Sequence, residues 1–511
     1  MHLIHHFLEH HAQTLPNHIA CIQIDGEINY GELDQQANRF ANALIEMGVQ
    51  KGDRVALYLY NSIDYIAAYY GILKAGAVTV AVYKTATERT LKYIFNDCQV
   101  KAVITQKPAT KIFAQLNGQI PDLQSVVALG KGKIDEGLKR NICTENELVE
   151  MPATKPAREI TGQDIASIIY TSGSTGDPRG AVLTHKNIVA NTRSIVKYLQ
   201  LTKDDRVLVI LPFPYVYGAS LLNTHFSVGG SVVLENRFLF PNVALKTMQE
   251  KQATGFSGVP STYAILLHKT SIREMEFPHL RYITQAGGAM APQLIREVMD
   301  VFERQKVFIM YGATEASARL SYLDPEKLPQ KIGSIGKAIP DVELRILRDD
   351  GSEADIDETG EIVARGENIM QGYWNAPEET ANVLTEFGFH TGDLGKRDED
   401  GFLYVVGRKR DMIKSGANRV SAKEVEEVLC EYPNILESAV IGVPDDILGE
   451  AIHAFIVLKN GDSLDEKKVI SFCREKMPEF KVPRKVLVEK LLPKNASGKL
   501  MKEELRKRYQ F

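Results

Sequence analysis

The sequence ASIIYTSGSTGDPRGAVLT, residues 166–184, sets the architecture that we expect for the rest of this 511-residue chain. Residues 166–170 are apolar and β-branched and predict a buried strand, and residues 181–184 predict a second short strand. The loop between them combines glycines and hydroxyl residues with Arg179. Glycines let the backbone approach a ligand, and hydroxyl and guanidinium groups donate hydrogen bonds to phosphate oxygens. The stretch therefore predicts a polyphosphate-binding loop, with a polar surface hairpin as the alternative.

The composition limits the classes of function that are open to this chain. Hydrophobic residues make up 44% and charged residues 25%, which is typical of a globular protein with a large core. The net charge of −4 gives no bulk basic signal, so we expect no nucleic-acid partner. The five cysteines are scattered without a CxxC pair. This pattern favours a reducing, cytoplasmic location over a disulfide framework or a zinc site.

One apolar segment, residues 65–83, is long enough to suggest a membrane span. Gly76 interrupts it, and β-branched residues follow. We interpret residues 62–75 as a buried helix that leads into a parallel strand. The sequence therefore predicts no integral membrane segment.

The predicted elements indicate an α/β fold with two domains. Helix and strand patterns alternate as far as residue 320 or so, which favours two layered α/β sheets, mostly parallel. Glycine-punctuated β runs from about residue 330 predict a small β subdomain. The charged junction Lys409-Arg410-Asp411 precedes a small α+β pattern. We expect a large, multi-subdomain N-terminal domain over 1–409 and a smaller, mobile C-terminal domain over 410–511.

Several other short stretches have compositions suited to ligand binding. Residues 211–218 are aromatic and uncharged, and residues 284–290 are small and follow an apolar run. YGATE, residues 311–315, follows a predicted strand, and a loop just past a parallel strand is where α/β folds bind ligands. Each stretch alone is also compatible with an ordinary buried turn or a solvated loop.

Taken together, these stretches resemble the motifs of the adenylate-forming superfamily, which includes acyl-CoA synthetases, luciferases and peptide-synthetase adenylation domains. The resemblance covers nearly the whole chain, with the motifs in the family's order and spacing. Residues 311–315 match Tyr-Gly-x-Thr-Glu at every fixed place. Four positions differ from the usual pattern. Arg179 replaces a lysine, and Asn495 replaces a threonine before the final Ser-Gly-Lys. Tyr215 stands where many acyl-CoA synthetases have a histidine, and Ala417 where the family often has a second glycine.

The resemblance implies that the chain binds ATP and Mg²⁺. It places Tyr311 and Gly312 at adenine, Thr314 at the α-phosphate, Asp393 at the ribose, and Arg408 near ribose and phosphate. Glu315 and Thr171 are the implied Mg²⁺ ligands, and carboxylate ligation of a phosphate-bound Mg²⁺ is sound chemistry. Lys499 is the implied adenylation lysine, beside the catalytic candidates Arg179, Thr314 and Glu315. The remaining implied nucleotide-binding residues are Ser172, Gly173, Ser174, Thr175, Gly176, Gly288, Ala289 and Met290.

The resemblance also implies a pocket for a carboxylic acid. The candidate wall residues are Tyr215, Tyr217, Gly218 and Gly287. Relatives that adenylate amino acids place an aspartate in the stretch that holds Tyr215, and residues 211–218 contain none. Because a buried ammonium without a counter-charge is costly, we expect a fatty or aryl acid instead.

The expected activity has two steps, first an acyl-adenylate with release of pyrophosphate, then a thioester with coenzyme A and release of AMP. Between the steps the family's small domain rotates on a hinge, which falls at Arg410. A loop over 414–417, with Gly416, would then line the thiol tunnel. A separate acyl carrier protein as acceptor, a luciferase-like second step and a non-catalytic nucleotide-binding protein are the alternatives. The sequence predicts no particular oligomeric state.

Overall fold

A computed structural model describes residues 1–171, 178–416, 418–445, 447–459, 464–494 and 500–509. Ser172, Gly173, Ser174, Thr175, Gly176, Ala417 and Lys499 are residues of the predicted sites that lie outside these ranges. The strands of the described residues form four sheets.

The strands are, in chain order, β1 Ile19–Gln23, β2 Gly26–Asn29, β3 Arg54–Tyr58, β4 Val78–Ala81, β5 Ala102–Gln106, β6 Ser125–Leu129, β7 Asn141–Thr144, β8 Ile165–Thr171, β9 Arg179–Thr184, β10 Arg206–Val209, β11 Ser231–Leu234, β12 Gly255–Gly258, β13 Tyr282–Gln285, β14 Lys306–Tyr311, β15 Ser321–Leu323, β16 Lys337–Ala338, β17 Val342–Leu347, β18 Gly360–Gly366, β19 Gly372–Tyr373, β20 Leu384–Thr385, β21 Gly388–Arg397, β22 Leu403–Arg408, β23 Met412–Ser415, β24 Asn418–Ser421, β25 Ile435–Asp445, β26 Gly449–Leu458 and β27 Lys485–Val488.

The α-helices are α1 His5–Thr14, α2 Tyr30–Glu46, α3 Ile63–Lys74, α4 Glu88–Asp97, α5 Thr110–Gln115, α6 Glu145–Glu150, α7 His185–Leu199, α8 Val216–Val228, α9 Pro241–Glu250, α10 Pro260–Lys269, α11 Pro292–Val301, α12 Pro377–Val383, α13 Ala422–Cys430, α14 Glu466–Lys476 and α15 Lys502–Tyr509.

Two large mixed sheets carry most of the N-terminal part. The nine-stranded sheet has the order β16-β15-β14-β13-β12-β10-β11-β1-β2, and the eight-stranded sheet has the order β19-β9-β8-β4-β3-β5-β6-β7. The central pairs are parallel, whereas β2, β9, β15, β16 and β19 pair antiparallel with their neighbours. Buried apolar residues of both sheets belong to one core that also includes α2, α3 and α8. The predicted pair of layered α/β sheets is confirmed.

Two smaller sheets complete the fold as predicted. Strands β17, β18, β20, β21 and β22 form the antiparallel β subdomain, and β23 to β27 form the sheet of the small α+β domain. The short 3-10 helix Lys409–Asp411 separates β22 from β23, so the chain changes sheets across it. The boundary at residues 409 and 410, and rotation about Arg410, stay predictions.

Local sequence signals explain where two buried helices begin and end. Helix α3 begins after Ser62, whose side chain accepts a hydrogen bond from the Tyr65 amide, and it ends at Lys74 before Gly76. The predicted buried helix is therefore present. Helix α2 begins at Tyr30, because Asn29 and Glu32 form a capping box there.

Helices α2 and α3 approach closely because Gly71 has no side chain. A Cβ at Gly71 would lie 2.5 Å from Phe40 Cβ and 2.8 Å from the Ala37 carbonyl oxygen. We expect Gly71→Ala to gain about 1 kcal/mol of helix propensity. Overpacking against backbone would cost about 3 kcal/mol, so the net loss is about 2 kcal/mol.

A lower urea midpoint of the first unfolding transition of Gly71→Ala would show this loss. Gly162→Ala is the control, because its added methyl group would meet nothing closer than Lys186 Cβ at 3.7 Å. A Gly71→Ala midpoint equal to that of the control would contradict the close-approach argument.

Candidate active site

The two residues that flank the predicted phosphate loop lie on antiparallel neighbours of the eight-stranded sheet. Thr171, the last residue of β8, pairs with Arg179, the first residue of β9. The Thr171 hydroxyl donates to the Arg179 carbonyl oxygen at 3.4 Å. The structure therefore brings together the two ends of the predicted loop, each of which carries a predicted site residue.

Glu315 and Arg179 meet at a residue that the sequence analysis did not single out, Tyr373. The Tyr373 hydroxyl donates to Glu315 Oε1 at 2.7 Å, and the Arg179 guanidinium carbon lies 5.7 Å from the centre of the Tyr373 ring. Burial, and then the Glu315 carboxylate, raise the pKa of Tyr373, so its hydroxyl stays protonated and donates to Glu315. Tyr373 thus connects the predicted Mg²⁺ ligand to the predicted phosphate cation.

Backbone pairing explains how Tyr373 reaches this position. Tyr373 belongs to β19, which pairs antiparallel with β9 so that Tyr373 faces Ala181. The amide of Met370, just before β19, donates to the Glu315 carbonyl oxygen at 2.8 Å. Thr314 and Glu315 lie in the 3-10 helix Thr314–Ala316, directly after the end of β14. The segment from Met370 to Tyr373 therefore contacts both large sheets at the candidate site.

A second cluster joins three residues that the sequence assigned to the nucleoside. The Tyr311 hydroxyl donates to Asp393 Oδ2 at 2.6 Å, and Arg408 Nε lies 2.9 Å from Asp393 Oδ1. Asp393 is only 5% exposed, and it faces Arg408 across the β21–β22 pair. Burial, and then the Asp393 carboxylate, raise the pKa of Tyr311. The cluster is a nearly buried carboxylate held by one cation and one hydroxyl.

Gly312 permits a tight crossing of the chain beside this cluster. A Cβ at Gly312 would lie 1.9 Å from the Ala318 carbonyl oxygen, so only glycine fits there. Packing alone therefore accounts for a glycine at this position. The predicted contact of Gly312 with adenine stays a prediction.

The predicted acid pocket divides into a bordering pair and a buried pair. A Cβ at Gly287, which has φ +87°, would lie 2.5 Å from the Tyr215 hydroxyl, so these two residues border each other. Tyr217 is buried, and its hydroxyl forms a 2.7 Å hydrogen bond with Thr284 Oγ1. A Cβ at Gly218 would lie 2.2 Å from the Pro212 carbonyl oxygen. Tyr217 and Gly218 therefore lie inside the wall, behind the surface that Tyr215 and Gly287 share.

The remaining predicted site residues are not joined to these clusters by the contacts described above. Gly288 and Ala289 are exposed after β13, whereas Met290 is buried in a second core cluster. Gly416 is exposed in the β23–β24 turn at φ +62°, and its amide donates to the Leu448 carbonyl oxygen at 2.8 Å. Their roles toward adenine and thiol stay predictions.

Arg319 is the second residue of this region that sequence reasoning missed. It follows Glu315 by four positions, is 2% exposed, and lies with its guanidinium carbon 4.1 Å from the centre of the Tyr217 ring. The available signal was a single cation within the otherwise uncharged run of residues 316–323.

The residues present suit a magnesium-bound nucleotide. Glu315 offers the type of oxygen ligand that Mg²⁺ prefers, and Arg179 and Arg408 offer cations that match phosphate oxygens. Asp393 offers an acceptor of the kind that ribose hydroxyls use. Arg179 begins β9, Arg408 ends β22, and Asp393 lies within β21, so sheet pairing fixes the backbone of all three. Glu315 lies in the 3-10 helix that follows β14.

Comparison with known proteins also indicates a nucleotide-binding enzyme. The model for "AMP-binding enzyme" matches residues 8–374, and that for "AMP-binding enzyme C-terminal domain" matches residues 424–499. The long-chain-fatty-acid–CoA ligase of Bacillus subtilis (strain 168) is 33% identical over 526 residues, which span 97% of this chain and 92% of that protein.

Two solved structures are similar to this one over almost the full length of the chain. The anthranilate CoA ligase AuaEII in complex with anthranoyl-AMP has a TM-score of 0.92 at 27% identity, covering 99% of this chain and 97% of that one. O-succinylbenzoate coenzyme A synthetase (MenE) from Bacillus subtilis, in complex with ATP and magnesium ion, has a TM-score of 0.84 at 29% identity, covering 98% of both chains.

The chain therefore belongs to the AMP-binding enzyme family, within the adenylate-forming superfamily. It is an AMP-forming acid–CoA ligase that works through an acyl-adenylate. Its substrates are ATP, a carboxylic acid and coenzyme A. Among the described helices, none combines the length and the hydropathy needed to cross a bilayer.

We expect Tyr373→Phe to lower the free energy of unfolding by about 1–2 kcal/mol, because Glu315 would lose a hydrogen bond to its charged form. The shift in the urea midpoint measures this loss. Tyr60→Phe is the control, since Tyr60 is 54% exposed. Equal midpoints for the two variants would mean that the Tyr373–Glu315 contact contributes nothing.

Proposed function

We propose that this ligase joins its acid to ATP at the surface between the two clusters around Tyr373 and Asp393. The observation that carries the proposal is the hydrogen bond between Tyr373 and Glu315. It lies beside Arg179, the first residue of β9. Asp393 and Arg408 would hold the ribose side, and Thr314 the α-phosphate side. Lys499 would supply a further cation to the reacting phosphate.

Charge explains why these residue types are needed. A carboxylate must attack the α-phosphate of ATP, although both groups are anions and repel each other. Arg179, Lys499 and an Mg²⁺ ion held at Glu315 and Thr171 would offset the negative charge that develops. Fixed cations stabilise such a reaction mainly through geometry and electrostatics. Pyrophosphate leaves, and the acyl-adenylate remains.

The second step requires a thiol to reach the acyl carbonyl. We infer that the domain over 410–511 turns about Arg410, which moves Lys499 away and brings the loop with Gly416 to the site. The coenzyme A thiol then attacks the carbonyl, and AMP departs. Coenzyme A is the favoured acceptor because the relatives described above are CoA ligases.

The acid is proposed to be a fatty or an aryl acid. Residues 211–218 are uncharged, and Tyr215 and Gly287 border the proposed pocket. The relatives differ in this respect, because their names specify long-chain fatty acids, anthranilate and O-succinylbenzoate. Arg319 adds one cation beside Tyr217, so the wall is not wholly neutral.

The test is carboxylate-dependent exchange of pyrophosphate into ATP over straight-chain, branched and aryl acids, followed by AMP formation with coenzyme A. Exchange with one class of acid, and AMP formation that depends on coenzyme A, would support the proposal. Exchange without coenzyme A turnover would point to a carrier-protein acceptor instead. Absence of exchange with every acid would refute the proposed assignment of the site.

Lys499→Ala should separate the two steps. We expect pyrophosphate exchange to fall at least about 100-fold, because a cation that stabilises the transition state is lost. Thioester formation from a supplied acyl-adenylate should stay close to the wild-type rate. Lys490→Ala, an exposed lysine of the same domain, is the control. Equal losses in both steps would rule out this division of labour.

A further inference from the structure

Arg319 is a buried cation whose surroundings in the structure are neutral. The residue is 2% exposed, yet no Asp or Glu side chain of the described ranges forms an ion pair with its guanidinium group. Its side chain contacts Met310 Sδ, 3.2 Å from Nε, and the Ala318 carbonyl oxygen, 3.3 Å from Nη1. The face of the Tyr217 ring lies 4.1 Å away.

These partners compensate only part of the cost of burial. A ring face, a thioether and a carbonyl oxygen attract a cation, but each does so less strongly than a carboxylate. Removing a guanidinium from water without a counter-ion is unfavourable, and buried charges in proteins are normally paired. Arg408, whose side chain is 38% exposed, has a carboxylate partner in Asp393. Arg319 is more deeply buried at 2% exposed.

The chain holds Arg319 in place from several directions. Asn191 accepts from the Arg319 amide at 3.2 Å and donates to its carbonyl oxygen at 2.9 Å, and Asn368 donates to the same carbonyl oxygen at 3.0 Å. The preceding residues Ser317 and Ala318 have backbone φ angles of +57° and +130°, which residues other than glycine rarely adopt. Backbone strain of this kind is typical of functional positions.

The position of Arg319 relates it to the acid pocket. Its guanidinium lies against Tyr217, and Tyr215 is the neighbouring ring at 6.2 Å between centres. Burial raises the pKa of Tyr215 to about 12, and the nearby Arg319 cation acts in the opposite direction. Tyr215 in turn borders Gly287. The cation therefore lies beside the two tyrosines of the predicted pocket.

We propose that the acid of this ligase carries a second carboxylate, which pairs with Arg319 while the first carboxylate is adenylated. This inference rests on the proposed function and narrows its substrate class from fatty or aryl acids to dicarboxylic ones. A guanidinium binds a carboxylate through two parallel hydrogen bonds, which supplies the missing counter-charge. A simple alkyl chain would instead leave the cation facing hydrocarbon.

The test uses matched pairs of acids, each a straight-chain or aryl dicarboxylic acid and its monomethyl ester. The ester keeps the size and the reacting carboxylate but loses the second anion. For the wild-type enzyme, we expect kcat/KM of pyrophosphate release to favour the diacid by about 30-fold or more, as for other buried charge pairs. A ratio near one for every pair overturns the inference.

Arg319→Met tests the residue itself. We expect this variant to lose the preference for the diacid while its kcat/KM for the ester stays within about threefold of wild type. Arg193→Met, which removes a 66%-exposed guanidinium from the same region, should retain the wild-type ratio. Equal losses for diacid and ester in Arg319→Met would assign Arg319 a purely structural role and overturn the inference.

The proposed ligase site and the proposed role of Arg319 can be refuted by different results. Turnover of monocarboxylic acids without any preference for diacids would overturn the role of Arg319 and leave the ligase site standing. Absence of pyrophosphate release with every acid would overturn the proposed site and the inference with it. If Arg319→Met does not fold, the wild-type ratio of diacid to ester still decides, because it needs no variant.

Discussion

The hydrogen bond from Tyr373 to Glu315 is the contact on which the candidate site depends, because it joins side chains from the two large sheets. Glu315 follows a strand of the nine-stranded sheet, whereas Tyr373 is part of the eight-stranded sheet through its pairing with β9. The Trp374 amide strengthens that pairing by donating to the Gly180 carbonyl oxygen at 2.7 Å.

The arrangement of charge around this link suits a reaction between two anions. Cations lie at Arg179 and Arg408, and each has a π system or a carboxylate beside it that fixes its direction. Because these groups belong to strands, they need little reorganisation when negative charge develops. Asp393 is paired in advance with Tyr311 and Arg408, which fixes the orientation of a nearly buried carboxylate.

Much of this fold could be predicted from the sequence, and the misses have physical causes. The strands on both sides of the phosphate loop, and the buried helix α3, follow from periodicity and capping residues close in the chain. The role of Tyr373 depends on a partner 58 positions away, and the burial of Arg319 depends on packing against Tyr217. Neither can be deduced from neighbouring residues.

The pairing of Asp393 with Arg408 has a thermodynamic consequence for the whole chain. Arg408 is the last residue of β22, and the chain enters the sheet of the small domain immediately after Lys409–Asp411. If a ligand on this carboxylate and cation binds more tightly in one orientation of the small domain, it shifts the population toward that orientation. By reciprocity, the orientation changes the affinity for that ligand by the same factor. The 2.9 Å salt bridge lies next to the predicted domain boundary. If nucleotide binds there, nucleotide occupancy and domain orientation would be coupled through one equilibrium.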